Sequence, residues 1–510
     1  MEIEVPVVIV GAGPAGLATA ACLNKYSIPN VVLERDDCHA SLWRKRAYDR
    51  LKLHLGKDFC NLPHMPFPPD FPTFVPRVDF LRYLDNYVTR FKISIRYNRN
   101  VESASMDEQN NGKWRVVVKD TTTNADEVYV ANYLVVATGE NSEGYVPQIE
   151  GLEGFEGKHM HCSEYLNGRD LYGKHVLVVG CGNSGMEIAY DLSNWGANTS
   201  IVVRGPVHYF TKEMVYVGMS LLKYFKIEKV DKLMLLMSKL KYGDMSNYGL
   251  IRPKDGPFFL KKKGGTTPTI DVGCVSRIKK GEVKVFPAIS SIKEDKLIEF
   301  EDGQNGQFDV IIFATGYNST VLKWLKDYRG LFNENGMPKP DFPNHWKGEN
   351  GIYCAGFSRR GLDGIAFDAK RIAADIKKTS SNTVVTLANS HTTVRYTDPT
   401  KYNIAKTDKI APPPFLTPID LLEGYFFAGV EGSDGVNDCG GGEEGEDEKG
   451  NEVKEFEEKE SGPIGREGVK ELLVLGCAGR SDTWMWMRKM KERGRGGMGK
   501  DLGTSVYEVP

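Results

Sequence analysis

Val7-Val8-Ile9-Val10-Gly11-Ala12-Gly13-Pro14-Ala15-Gly16-Leu17 decides how this chain reads. The β-branched run predicts a buried strand, and the glycines turn it straight into an amphipathic helix reaching about Lys25. Gly11 suits the tight turn, Gly13 lets the backbone touch a pyrophosphate, and Gly16 lets helix and strand pack closely. The helix N-terminus then faces phosphate charge. A second strand, Val31-Val32-Leu33, ends in Glu34, 23 residues after Gly11, where an acid can accept a ribose hydroxyl. Strand, turn, helix and acid together predict a dinucleotide site that also takes in Ala12, Pro14 and Ala15.

The same logic returns downstream. His175-Val176-Leu177-Val178-Val179 leads into Gly180-Cys181-Gly182-Asn183-Ser184-Gly185, with a helix expected to about Trp195. The following strand, Ser200-Ile201-Val202-Val203, ends in Arg204, 24 residues after Gly180. A cation in place of the acid suits a 2′-phosphate, because the guanidinium fork binds phosphate oxygens in pairs. The second nucleotide is therefore expected to be NADPH, held by Gly180 to Gly185 and Arg204. Two similar strands, ending in Ala137-Thr138-Gly139 and Ala314-Thr315-Gly316, bracket this second unit. The chain is expected to leave the first unit near one copy and re-enter it near the other. A last strand and helix, Gly351 to Phe357 and then Gly361 to about Ile376, bring further glycines towards a cofactor.

Composition bounds the rest. The 510 residues are 41% hydrophobic and 26% charged, enough for one large core or two to three ordinary ones. A net charge of −2 points to no nucleic acid. Nine scattered cysteines without a CxxC pair predict reduced thiols and a cytoplasmic protein, with no metal site and no redox-active cysteine pair of the disulfide-reductase kind. No room for a signal peptide and no transmembrane run are read from the sequence. Residues 60 to 76 are dense in proline and aromatics and predict an ordered loop. The apolar, lysine-rich stretch 212–242 reads as helices over a core or a substrate channel, and leaves peripheral membrane contact open. Residues 381–510 read as a low-complexity, disordered tail.

The two units together predict an α/β fold with two Rossmann-like dinucleotide-binding domains, the NADPH domain inserted in the FAD domain. The expected spans are 1–165 and 306–380 for FAD and 166–305 for NADPH. Two dinucleotides imply hydride transfer to a flavin. Between them Phe155, Gly157, His161 and Tyr165 match the FxGxxxHxxxY fingerprint of class B flavin-dependent monooxygenases. With Trp43 to His54, Met65 to Pro68 and Gly356 to Leu362, the chain from 5 to 380 resembles the plant YUCCA flavin monooxygenases.

The resemblance implies FAD, NADPH and O2, and a flavin C4a-peroxide that converts the keto acid indole-3-pyruvate to indole-3-acetate in auxin biosynthesis. It implies that Arg35, Trp43, Ala137, Thr138 and Gly139 join the FAD site, and that the enzyme is cytoplasmic or peripheral at the endoplasmic reticulum. No side-chain triad is expected, since the flavin supplies the chemistry. His54 and Lys57 are the candidates for direct participation. His54 stands where amine-oxygenating relatives carry asparagine, and Gly56 stands where YUCCA relatives carry proline. A looser loop is expected at Gly56, and His161 is either a hinge contact or a packed histidine. N- or S-oxygenation of a small soft nucleophile, or NADPH sensing without catalysis, are the other readings.

Overall fold

The structure is a computed structural model describing residues 2–107, 112–264, 267–389, 472–476, 485–489 and 506–507. The strands that build its two central sheets are β1 (Val7–Val10), β2 (Asn30–Leu33), β3 (Ile95–Arg96), β4 (Tyr133–Val136), β5 (Lys158–His161), β6 (His175–Val179), β7 (Asn198–Val202), β8 (Val283–Phe286), β9 (Val310–Phe313) and β10 (Ile352–Cys354). The first sheet runs β10-β4-β1-β2-β3 and the second β5-β9-β6-β7-β8. Every pairing in both is parallel. The central strand β1 is at most 5% exposed at any residue. That explains its unbroken apolar run, because a parallel strand covered on both faces has no polar side to show. Burying each such valine or isoleucine stabilises by about 1.5–3 kcal/mol.

Helices cover these faces. The helix α1 (Pro14–Lys25) follows β1, and α2 (Asn183–Asn194) follows β6. The helix α3 (Ile227–Tyr242) lies farther on, and α4 (Gly361–Asn389) packs along α1. Between β3 and β4 the chain makes an antiparallel sheet of Arg99–Asp107, Lys113–Asp120 and Asp126–Ala131.

One expectation about the division of the chain is corrected. The strands β5 and β9 were assigned by sequence to the FAD spans 1–165 and 306–380. Both are instead hydrogen-bonded into the second sheet, β9 lying between β5 and β6. The changeover sits at the linkers, where Glu143–Gly144 pairs antiparallel with Tyr317–Asn318.

The loop of residues 60–76 is ordered by its aromatics. Phe67 and Phe71 are buried, and Phe67 stacks on Tyr83 at 4.2 Å. The stretch 212–242 forms Lys212–Leu221 and α3. One face of α3 is buried through Val230, Met234, Ser238 and Tyr242. The opposite face exposes Leu233, Leu236 and Leu240 beside Lys229, Lys232 and Lys239. Among the described residues no helix is long and apolar enough to cross a membrane.

The last helix outruns the expected Ile376 and continues to Asn389. Farther on, Leu472–Gly476, Met485–Lys489 and Val506–Tyr507 form a small antiparallel sheet in a separate unit, Asn437–Pro510, where a disordered tail was expected. The rest of the expected tail lies outside the described residues.

Candidate active site

Each glycine turn is built the same way, and the reason is steric. At Gly11 (φ 106°) a Cβ would lie 2.6 Å from the Ala137 carbonyl oxygen, and at Gly16 it would lie 1.9 Å from that of Gly11. At Gly180 (φ 112°) it would lie 2.5 Å from the Ala314 oxygen, and at Gly185 1.9 Å from the Gly180 oxygen. Real Cβ atoms do not approach so closely, so these positions admit only hydrogen. Gly13 and Gly182 differ, because nothing lies within 4 Å of a Cβ there. Their open side is where another molecule's atoms can come up against the backbone.

The first turn opens on a cavity of about 510 Å³. Gly11, Gly13, Pro14, Ala15, Glu34, Arg35 and Trp43 line it. Ala137, Thr138, Gly139, Gly356 and Leu362 line it as well. Ala12 and Gly16 are not among the residues that line it. The Ala12 N–H donates to Glu34 Oε2 at 2.8 Å, and the Asp36 N–H to Oε1 at 3.0 Å. Glu34 therefore ties the turn to its own strand, and each oxygen retains a lone pair for a ribose hydroxyl. Burial pushes its carboxyl above the ordinary value, against those two backbone donors. Trp43 is held edge-on to Phe80 at 4.5 Å, and its carbonyl accepts from Arg77 Nε at 2.7 Å.

Two polar atoms at the wall, Thr138 Oγ1 and Glu140 Oε2, are buried with no hydrogen-bond partner among the described residues. Such atoms fit a wall that a ligand's polar groups complete. Burial pushes the Glu140 carboxyl up to about 7, while Lys261 and Arg359 pull the other way. The folded protein thus keeps this proton where the unfolded chain has lost it. Stability should fall as pH rises from 4.5 to about 7, then level off. Glu140→Gln should raise the melting temperature relative to the parent at pH 8 and hardly change it at pH 4.5. An equal difference at both pH values would show that Glu140 ionises as an ordinary carboxyl.

The second turn, Gly180 to Gly185, leads into α2, with Ser184 in its first turn. Arg204 is exposed just beyond β7, close enough for its charge to act on the Cys181 thiol in the turn. The Asn183 side chain is engaged within the protein, its oxygen accepting the Ile270 N–H at 2.8 Å, which leaves its backbone for the expected nucleotide. Its amide nitrogen lies 2.9 Å from His54 Nδ1, and His54 lines the cavity.

Lys57 is corrected. Its ammonium donates to the carbonyls of Pro68, Pro69 and Phe71 at 3.2, 2.8 and 2.6 Å, which pins the aromatic loop. It does not line the cavity. The loop at Gly56 is not loose either. A Cβ there would lie 2.6 Å from the Tyr216 ring, and the Tyr216 hydroxyl donates to Asp58 at 3.1 Å.

His161 is a contact at the crossing of the linkers. The Ser163 N–H donates to its Nδ1 at 3.2 Å, so Nε2 carries the hydrogen and donates to the Gly316 carbonyl at 3.0 Å. Its ring covers Gly144, where a Cβ would lie 2.3 Å from Nδ1. Burial holds its pKa below the ordinary histidine value, so it is neutral at pH 7.

Sequence reasoning missed the buried charges around α2. Tyr165, which ends the fingerprint, donates to Asp191 Oδ2 at 2.6 Å, and Tyr48 donates to Glu187 Oε2 at 3.2 Å. Arg50 faces both acids, 3.7 Å from Glu187 and 3.4 Å from Asp191. The spacing of Glu187 and Asp191, one helical turn apart on a single face, was the available signal. Also missed was the pair behind Gly356. The Gly356 N–H donates to Asp368 Oδ2 at 2.9 Å, and the other carboxylate oxygen lies 2.9 Å from His345 Nε2.

The flavin-binding monooxygenase-like family matches residues 5–327. The probable indole-3-pyruvate monooxygenase YUCCA10 of Arabidopsis thaliana is 55% identical over 374 residues, covering 73% of this chain and 97% of that protein. The indole-3-pyruvate monooxygenase YUCCA6 of the same plant is 48% identical over 380 residues, covering 73% and 90%. Among solved structures, the OTEMO complex with FAD and NADP matches at a TM-score of 0.59 and 16% identity, covering 74% of this chain and 85% of that one. That likeness shows the shared fold of two dinucleotide-binding domains. Taken with the duplicated turns and the fingerprint at its linkers, the chain belongs to the flavin-binding monooxygenase-like family, in its YUCCA group.

Proposed function

We propose that this chain is an FAD- and NADPH-dependent monooxygenase that converts indole-3-pyruvate to indole-3-acetate, the auxin. The observation that carries this reading is the contact between the two units. Asn183 of the second glycine turn reaches His54 in the wall of the first unit's cavity at 2.9 Å. A nicotinamide held by one turn and a flavin held by the other would meet there.

FAD would be held by Gly11 to Gly16, Glu34, Arg35, Trp43 and Ala137 to Gly139. NADPH would be held by the backbone of Gly180 to Gly185, with Arg204 at the 2′-phosphate. When bound, the flavin supplies hydride acceptance and oxygen activation. The protein's part is to orient the keto acid and to exclude water. Indole-3-pyruvate, NADPH, O2 and a proton give indole-3-acetate, CO2, NADP⁺ and water. The bond between the keto carbon and the carboxylate breaks, one oxygen atom enters the new carboxylate, and the other leaves in water.

The test is NADPH consumption counted against product under ¹⁸O2. One labelled oxygen in indole-3-acetate for each NADPH is expected. Unlabelled product, or NADPH consumption without product, would overturn the reading. A labelled sulfoxide from a thioether, with the keto acid untouched, would select N- or S-oxygenation. A flavin that NADPH fails to bleach would select a non-catalytic sensor.

The exposed leucines of α3, flanked by lysines, suit peripheral contact with an anionic membrane, the lysine stems reaching past the apolar stripe to lipid phosphates. Co-sedimentation with phosphatidylserine vesicles but not with phosphatidylcholine vesicles is expected. Equal recovery in the supernatant with both would rule the contact out.

A further inference from the structure

Asn183 sits in the second glycine turn, yet its side chain is committed inward. The Ile270 backbone N–H can only donate, so the atom 2.8 Å from it must be the carboxamide oxygen. The amide nitrogen is then the end 2.9 Å from His54 Nδ1. An NH2 group can only donate, so Nδ1 accepts and the ring's hydrogen is on Nε2. All three residues are held in place. Asn183 and His54 are 8% and 2% exposed. Ile270 belongs to a short strand, Thr269–Ile270, paired with Tyr209–Phe210. The Thr269 hydroxyl donates to the Cys181 carbonyl at 2.9 Å, which docks that strand on the turn itself.

We propose that Asn183 is a positioning residue that selects the Nε2–H tautomer of His54 and so sets a fixed hydrogen-bond donor in the cavity wall. The class of group it serves is an oxygen acceptor, either a flavin carbonyl or the keto or carboxylate oxygen of a 2-oxo acid. The last of these rests on the function proposed above; the tautomer does not. A donor fixed before reaction needs no reorganisation when negative charge develops on such an oxygen. The arrangement also makes the histidine on the flavin side depend on a residue of the nucleotide turn.

Asn183→Asp is the informative change, since it is nearly isosteric. The carboxylate still accepts the Ile270 N–H, but its other end becomes an acceptor where a donor stood. His54 must then offer Nδ1–H, and Nε2 loses its hydrogen or the ring gains a charge. The experiment uses full-length, FAD-bound protein with ¹⁵N-labelled histidine, the His54 signals being identified by their loss in His54→Asn.

The parent should show a protonated Nε2 and an unprotonated Nδ1, and Asn183→Asp should show a protonated Nδ1. Turnover of NADPH with indole-3-pyruvate should fall at least about tenfold at unchanged flavin content, which corresponds to ~1.4 kcal/mol. His54→Asn alone should keep much of the turnover, because its carboxamide oxygen can accept from Asn183 while its NH2 takes the donor's place; added to Asn183→Asp it should recover little, because the carboxylate draws that NH2 away from the cavity. Nδ1–H in the parent would overturn the proposal without any variant, so a misfolded variant cannot shield it. An unchanged tautomer in Asn183→Asp, or a double variant restored to the parent's turnover, would overturn it as well. If indole-3-pyruvate is not the substrate, the turnover readings fail while the nitrogen signals stand.

Discussion

Gly16→Val should yield protein that purifies without its yellow colour, whereas Gly185→Val should keep its flavin and resist reduction by NADPH. Both substitutions drive a side chain into backbone, with the Cβ 1.9 Å from the Gly11 oxygen in one case and from the Gly180 oxygen in the other. Backbone cannot swing aside as a side-chain tip can, so helix and strand must separate. Overpacking of this severity costs about 3 kcal/mol, roughly two orders of magnitude in affinity for whatever the turn holds. The two turns are matched in geometry, so the pair separates them by ligand alone. Flavin content read from visible absorbance, and anaerobic reduction by NADPH, are the measurements. Full flavin occupancy in Gly16→Val, or normal reduction in Gly185→Val, would show that the turns have been given the wrong nucleotides.

The largest loss of stability is expected from Arg50→Met. Arg50 faces Glu187, which is fully buried, and Asp191, which is 8% exposed, and its guanidinium lies 4.6 Å above the Tyr190 ring. Removing a buried cation while leaving its acids costs about 3–5 kcal/mol, because the carboxylates keep their desolvation penalty without the compensating charge. Tyr165→Phe removes only one hydrogen bond to Asp191 and should cost about 1–3 kcal/mol. In Arg50→Met the acids gain protons more readily when folded than when unfolded. The deficit against the parent should therefore shrink as pH falls from 8 to 5.5. Thermal melts across that range decide it, and a variant as stable as the parent throughout would show that the cluster carries no net weight.

Much of this was legible in the sequence because it is local. The run from Val7 to Gly16 and its echo at 176–185 specify strand, turn and helix by spacing alone, and Glu34 and Arg204 fall at the ends of the next strands. What was not legible is non-local. The strand β9 reads as a buried strand, but nothing in Val310-Ile311-Ile312-Phe313 says that it pairs with β5 and β6. Parallel partners are joined through long crossovers, and an apolar run carries no address. Asn183 reads as a nucleotide ligand because it stands in a glycine turn, and nothing in the sequence shows that its side chain is engaged elsewhere. Its side chain is claimed by Ile270, 87 residues away, and by His54, 129 residues away. Lys57 was a plausible participant by charge and position, until three carbonyls of the following loop took its ammonium.

The pairing of Gly144 with Tyr317 means that the intervening segment begins and ends at one spot on the molecule, about 5 Å apart as antiparallel partners are. Topologically that segment is a cassette. It could be lifted out and another nucleotide-binding unit spliced in without redrawing the host, provided the newcomer's ends also lay side by side. His161 would travel with it, covering the Gly144 backbone and donating to the Gly316 carbonyl, so compatibility would be judged at that seam and not across the whole buried interface.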